Sequence, residues 1–271
     1  MQRIDAIEIH HESQSPASLE LQIPAVSILM PVYNLRSSIT TLVRNAISEF
    51  SVLLPSFELV IVDDGSSDGT LDVASEIKDQ RVRIVGYDDN RGKGEALLYG
   101  IRYARGDTII FADGDMQAVP LDFQHYMMAV KTHDIAIASK RVPGARLDAG
   151  AKRKFLSIGF NAFVRVLLLL PISDTQSGFK IFRASALKKI IPLISVKHYA
   201  FDVELLTVAN LLNLKILELP ASIKLESTFK SRNIARMFID VLGIAYRLRI
   251  RRWYQANLEA GKNKYEPILN W

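Results

Sequence analysis

There is no cysteine among the 271 residues. That absence excludes a disulfide framework and any thiolate-held metal. Long apolar runs are missing too: none reaches the ~20 residues a helix needs to cross a bilayer. The nearest, Phe155 to Ile172, contains Asn161 and Arg165. An arginine at the bilayer centre costs about 2.5–3.5 kcal/mol, so this segment reads as an interfacial or buried helix. The N-terminus has no apolar core of a secretory signal, and residues 1–23 read as a loosely ordered extension. No G-x-G-x-x-G follows the first strand pattern, which argues against a dinucleotide fold. The five histidines (His10, His11, His125, His133, His198) show no metal-ligand spacing.

What remains is ordinary for a globular core, 49% hydrophobic and 23% charged. The net charge is +5, with the positive residues unevenly spread. That imbalance suggests an anionic partner: a nucleotide, a lipid surface or a nucleic acid.

Strand and helix patterns alternate from Val26 onward. Val26–Met30, Glu58–Val62, Arg81–Val85, Thr108–Ala112 and Asp134–Ala138 read as strands. Helices are predicted at about 37–50, from Thr70 (with Asp68 or Thr70 as N-cap) and over 92–104. Such alternation builds βαβ units and a parallel sheet. The second half predicts a helix over 152–170, a polar loop at Asp174–Lys180 entering a short strand, and a helix over 199–213. A strand from Leu214 then stops at Pro220. From Arg232 to Leu258 the pattern is one long amphipathic helix. Ile234, Phe238, Val241, Leu242, Ala245 and Leu248 share one face; Arg236, Asp240, Arg247 and Arg251 share the other. The expected organisation is 1–23 extension, 24–228 main domain and 229–271 basic helix and tail.

Asp113 and Asp115 follow the apolar strand at 108–112. Ligands of open α/β sheets bind beyond such strand ends, and two carboxylates at i and i+2 can share a hard divalent cation. Solvated turn aspartates are the plainer alternative. Gln117 is either a third ligand or a surface glutamine. Pro31-Val32-Tyr33-Asn34 and Asp63-Asp64-Gly65-Ser66 follow the first two strands, where a nucleotide base and ribose would sit; an N-capping turn explains the second equally well. Asn90-Arg91-Gly92-Lys93-Gly94 opens a helix in a way that suits a phosphate, without the spacing of a Walker loop. Asp202 and Glu204 lie on an otherwise apolar helix and either orient a basic group or point outward. Lys230, Arg232, Arg236, Arg249, Arg251 and Arg252 make the C-terminal region a candidate platform for an anionic membrane surface, or simply a solvated helix.

Together these motifs resemble the family 2 inverting glycosyltransferases, and among them the polyprenol-phosphate hexosyltransferases that make dolichyl-phosphate glucose or mannose. The matching segments run in family order over roughly 24–255: 26–34, 60–70, 90–94, 113–117, 174–180 and 201–205. The last two look most like the glucosyl branch. The resemblance implies the GT-A fold, a Rossmann-like α/β sheet, mostly parallel and flanked by helices, with a C-terminal amphipathic helix. It implies that Pro31, Tyr33, Asn34, Asp63 and Asp64 hold the nucleotide, and that Lys93 lies by the nucleotide sugar. Asp113, Asp115 and Gln117 would bind Mg²⁺ or Mn²⁺, and Asp174 would stand near the acceptor. Lys230 and Arg232 would face acceptor phosphate, with Ser231-Arg232 standing for the family's Ser-Lys. Ser139-Lys140 stands where the family has Ser-Arg, and Leu35 where it usually has Glu.

The activity so implied is metal-dependent transfer of a hexose from UDP-glucose or GDP-mannose to a polyprenyl or dolichyl phosphate. It would run on the cytoplasmic face of a membrane, by a peripheral enzyme without a transmembrane span. A soluble or protein acceptor, and a non-catalytic nucleotide-sugar-binding protein, are the alternatives. Nucleic acid is not expected as a partner, because aromatic-basic stacking motifs are missing.

Overall fold

The structure is a computed structural model that describes residues 7–8, 25–114, 118–198, 200–224 and 231–260, without the side chains of 7–8, 119 and 231–234. Asp115, Gln117 and Lys230 therefore lie outside the described residues, as does the side chain of Arg232. The chain divides into two compact units, Met1–Asp115 and Met116–Trp271. That division falls inside the stretch which the sequence reads as one domain.

In the first unit the elements are β1 (Ile7–Glu8), β2 (Val26–Val32), α1 (Ile39–Leu53), β3 (Phe57–Asp64), α2 (Thr70–Ser75), β4 (Val82–Tyr87), α3 (Lys93–Gly100) and β5 (Thr108–Phe111). β2 pairs in parallel with β3 on one side and β5 on the other, and β3 pairs in parallel with β4. β1 adds to β4 antiparallel. Every residue of β3 is buried. Its unbroken apolar run thus belongs to a strand covered on both faces, as parallel strands usually are. The alternation of apolar strands and helices predicted this βαβ arrangement. Gly69, not Asp68 or Thr70, is the N-cap of α2; Asp68 Oδ1 instead accepts the Thr70 amide at 2.9 Å.

The second unit contains β6 (Ala118–Pro120), α4 (Phe123–Ala129), β7 (Ile135–Ser139), β8 (Arg146–Asp148), α5 (Ala151–Leu168), β9 (Lys180–Arg183), α6 (Ala184–Ile190), α7 (Phe201–Leu211), β10 (Ile216–Lys224), α8 (Ser231–Ala245) and α9 (Trp253–Glu259). β10 does not stop at Pro220. Residues Ile216–Pro220 pair in parallel with β7; beyond the proline the strand pairs with β6 and β8 instead. Pro220 cannot donate to a ladder, and it stands where the strand changes partners.

The single C-terminal helix expected from periodicity is two helices. α8 ends at Ala245, a π-turn spans Tyr246–Ile250, and Arg252 turns the chain in the left-handed region (φ 46°) before α9. The cause is visible in Glu204, which accepts bonds from both Arg247 Nη2 (3.1 Å) and Tyr254 Oη (2.5 Å). Seven residues of straight helix rise about 10 Å; the π-turn and the bend at Arg252 instead bring Arg247 Nε within 3.2 Å of Tyr254 Oη. The amphipathic face also shifts. Met237, Val241, Ile244 and Ala245 enter a core with Phe160, Val164 and Leu168 of α5, whereas Leu242, expected inside, is 52% exposed.

Candidate active site

The loops that leave β2 and β3 are laced together. The Asn34 amide donates to Ser66 Oγ (2.8 Å) and the Ser67 amide to Asn34 Oδ1 (3.0 Å). The Leu35 amide donates to Thr70 Oγ1, and the Arg36 amide to Asp68 Oδ2. Asn34 adopts φ 52°, a left-handed conformation that asparagine tolerates. Pro31-Val32-Tyr33-Asn34 and Asp63-Asp64-Gly65-Ser66 are thus one structure at the C-terminal ends of two parallel strands, the place where open sheets bind ligands. The Tyr33 ring is 47% exposed there.

The two adjacent aspartates do different work. Asp63 is buried; Ser66 donates to it through both Oγ (2.5 Å) and its amide (3.0 Å). Burial pushes its carboxyl above the usual carboxylate range. Asp64 organises the next loop. Its oxygens accept from Tyr87 Oη (2.6 Å), Asn90 Nδ2 (3.1 Å) and the amides of Arg91 (2.9 Å) and Gly92 (3.0 Å). Burial and donation to Asp64 raise the Tyr87 phenol far above its ordinary value. Gly65 has φ 66°, and a Cβ there would lie 2.3 Å from the Asp89 carbonyl carbon, so only glycine admits that loop. Tyr87 escaped the sequence reading, and Asn90, read there as part of a phosphate-suited loop, is bound to Asp64.

Lys93, first residue of α3, reaches Asp113 just beyond β5: Nζ and Oδ1 stand 2.6 Å apart. The following Gly114 packs against β2, where a Cβ would meet the Pro31 carbonyl at 3.0 Å. Asp113 therefore holds a cation at a strand end, with hard oxygen donors two and four residues further on in the sequence. That donor chemistry fits Mg²⁺ or Mn²⁺. Among the described residues no group of three or more His, Cys, Asp or Glu gathers into a metal cluster.

In the second unit Asp174 is buried. Both its oxygens accept from Lys140 Nζ (2.7 and 2.8 Å), and Oδ2 also takes the Lys140 amide (3.0 Å). Burial opposes the charge, but the Lys140 ammonium and its hydrogen bonds hold the carboxyl below its ordinary value. Glu218 of β10 accepts from the Ser173 amide, Ser173 Oγ and the Asp174 amide, and so fixes the loop. Glu218 was missed, although a lone acid in an apolar strand was its signal. The next residue along each loop carries a buried donor, Arg141 Nε and Thr175 Oγ1, with no partner among the described residues. Asp202 and Glu204 orient basic groups, one of the two readings open from sequence. Asp202 accepts from Lys180 Nζ at 2.7 Å, and Glu204 from Arg247, Tyr254, Ser195 and the Val196 amide.

A model of the glycosyl transferase family 2 domain matches residues 27–191, more than half of the chain. The chain belongs to glycosyl transferase family 2. It is similar to the dolichyl-phosphate beta-glucosyltransferase of Dictyostelium discoideum, 31% identical over 269 residues that span 89% of this chain and 81% of that protein. It is also similar to the protein of the same name from Saccharomyces cerevisiae, 33% identical over 73% of this chain and 66% of the relative. Among solved structures, glucosyl-3-phosphoglycerate synthase from Mycobacterium tuberculosis, crystallised with Mn²⁺, UDP-glucose and phosphoglyceric acid, superposes with a TM-score of 0.62 at 17% identity, covering 86% of this chain and 84% of that one. The likeness is one of fold: this family 2 glycosyltransferase has the GT-A architecture, an α/β fold with mostly parallel strands flanked by helices.

Proposed function

We propose that the enzyme transfers glucose from UDP-glucose to the phosphate of a polyprenol such as dolichol, inverting the anomeric carbon. The observation that carries the reading is Asp113, a partly exposed carboxylate at a strand end that already grips an ammonium. Its support is that relatives 31% and 33% identical to this chain are named dolichyl-phosphate beta-glucosyltransferases.

In this reading Asp113, Asp115 and Gln117 would hold a divalent ion. When bound, that ion supplies Lewis-acid neutralisation of the departing nucleotide diphosphate. Tyr33, with Pro31, Asn34 and Asp63, would receive the nucleotide. Asp64 shapes the loop at Asn90–Gly92 and thereby sets the start of α3, from which Lys93 would meet the diphosphate. The attacking group would be an oxygen of the lipid phosphate. A phosphate monoester has its second pKa near ~6 and is largely dianionic at pH 7, so no strong base is required. Asp174 suits that chemistry as a positioning residue, because its oxygens are committed to Lys140. Lys230 and Arg232 would face the acceptor phosphate. The acceptor puts the enzyme at a membrane surface, and the side proposed is the cytoplasmic one.

The test is a panel of labelled UDP-glucose and GDP-mannose, each with and without dolichyl phosphate and Mn²⁺. Label is expected in the lipid extract from UDP-glucose only with the lipid phosphate present. Absence of lipid-extractable label from every donor overturns the reading, and turnover with a water-soluble acceptor alone would shift it to another acceptor class. Asp115→Ala should abolish transfer while leaving the thermal transition unchanged.

A further inference from the structure

Helix α5 is apolar on two opposite sides. Phe160, Val164 and Leu168 face the core they share with α8. At 100° per residue the opposite sector carries Phe155, Ile158, Gly159, Ala162, Val166 and, at the C-cap, Leu169. All six are exposed, Phe155 by 81% and Val166 by 74%. No charged or hydrogen-bonding side chain interrupts that sector. The charges stand at its borders, where Lys152, Lys154 and Arg165 are exposed, and α5 has no acidic residue. Helix α8 repeats the design. Opposite its core residues it exposes Ala235, Ile239 (67%) and Leu242 (52%), with Tyr246 and Ile250 (73%) following in the π-turn and Arg236, Arg249 and Arg251 exposed around them. The two helices pack through Phe160 and Phe163 against Phe238.

A surface helix of a globular protein turns a polar face outward; one that is apolar outward as well is covered by something else. Among the described residues no helix is long and apolar enough to cross a membrane. An uncharged stripe with basic borders is the composition of a helix lying in the plane of a bilayer, apolar side down, with lysines and arginines at the headgroups. A second copy of the chain is the poorer fit. A two-fold contact through the α5 stripe would bring Lys152, Lys154 and Arg165 against their own counterparts with no acid on the helix to answer them.

We propose that the outward faces of α5 and α8 dock this enzyme on an anionic lipid surface, with Phe155, Val166 and Ile239 entering the headgroup–acyl boundary. The proposal deepens the lipid-phosphate reading above by naming the surface that meets the membrane.

The experiment is co-sedimentation of the full chain with vesicles of phosphatidylcholine, alone or mixed with phosphatidylglycerol, containing no polyprenyl phosphate and no nucleotide. Binding is expected with the mixed vesicles and weaker binding with the neutral ones. The double variant Phe155→Glu/Val166→Glu should lose about a hundredfold or more in partitioning, since each replaced side chain alone accounts for at least about tenfold. Its thermal transition and its Mn²⁺-dependent UDP binding should match the wild type. The variant Lys154→Glu/Arg165→Glu should lose only the preference for anionic lipid. The proposal is overturned if the wild type ignores both vesicle types, if the apolar variant binds as well as the wild type, or if light scattering finds a wild-type dimer that the same variant dissociates. Vesicle binding without sugar transfer from any donor would leave the docking surface standing and remove the acceptor reading instead.

Discussion

Lys93 occupies Asp113 at 2.6 Å, an ammonium held where a divalent ion is proposed to bind. Replacing it with methionine removes a competitor for Asp113 and, in the same step, a positive charge for the diphosphate. Lys93→Met should therefore tighten Mn²⁺ binding to the ligand-free protein by about two- to fivefold, the range that a partly exposed ion pair supports, while weakening UDP binding in the presence of Mn²⁺. Titration calorimetry of both complexes reads the two opposite signs, and equal Mn²⁺ affinities would show that the pair does not hold the metal carboxylate. Asp174 is the other telling residue. Asp174→Asn leaves the buried Lys140 ammonium without its counter-charge and should cost about 3–5 kcal/mol in urea unfolding at neutral pH. The Asp174 carboxyl is held below its unfolded value of about 3.9. Its stabilisation is accordingly complete above that value and fades as pH falls through the lower folded value. The stability gap between wild type and variant should narrow below about pH 4. Both aspartates were legible in the sequence, Asp113 as a polar residue after an apolar strand and Asp174 in a polar loop that enters one. The partners were not, because Lys93 to Asp113 and Lys140 to Asp174 are matched across 20 and 34 residues by the turns between them.

Elements with one dominant signal read cleanly. The strands at 26, 57, 82, 108 and 135 are dominated by apolar, mostly buried residues, and their approximate positions follow from that alone. Short pieces without a clear period escaped: β6, α4, β8 and α6 have three to seven residues each. The C-terminal helix misled because periodicity describes what a helix would bury if nothing pulled on it. Glu204 pulls. It is fully buried and ties α7 to Ser195, Val196, Arg247 and Tyr254, and its presence with burial raises the Tyr254 phenol above its usual value. Glu204→Gln should cost about 3–5 kcal/mol, since an amide cannot accept all five bonds and Arg247 loses its counter-charge. The break between α8 and α9 should then become the first site of limited proteolysis. A variant cut no faster than the wild type would remove Glu204 from the account of that break. Tyr254→Phe removes the bond its hydroxyl donates to Glu204 and the one it accepts from Arg247 Nε, and should cost about 1–3 kcal/mol.

At the scale of the whole molecule, family membership and α/β class were within reach of the sequence, because motif order and strand–helix alternation are properties of the chain itself. So was the reading that Phe155–Ile172 does not cross a bilayer, since the cost of Arg165 there depends on composition; among the described residues no helix is long and apolar enough to do so. Three matters belonged to tertiary structure. One is the pairing of Asp64 with the loop at 90–92 and of Asp174 with Lys140, which depends on where strand ends bring distant turns. Another is the break in the C-terminal helix, which depends on a carboxylate some 40 residues earlier. The third is the outward apolar stripe of α5. Periodicity marks both apolar sides alike, and only packing decides which faces the core and which is left for another surface, because burial is a property of neighbours and not of residue type.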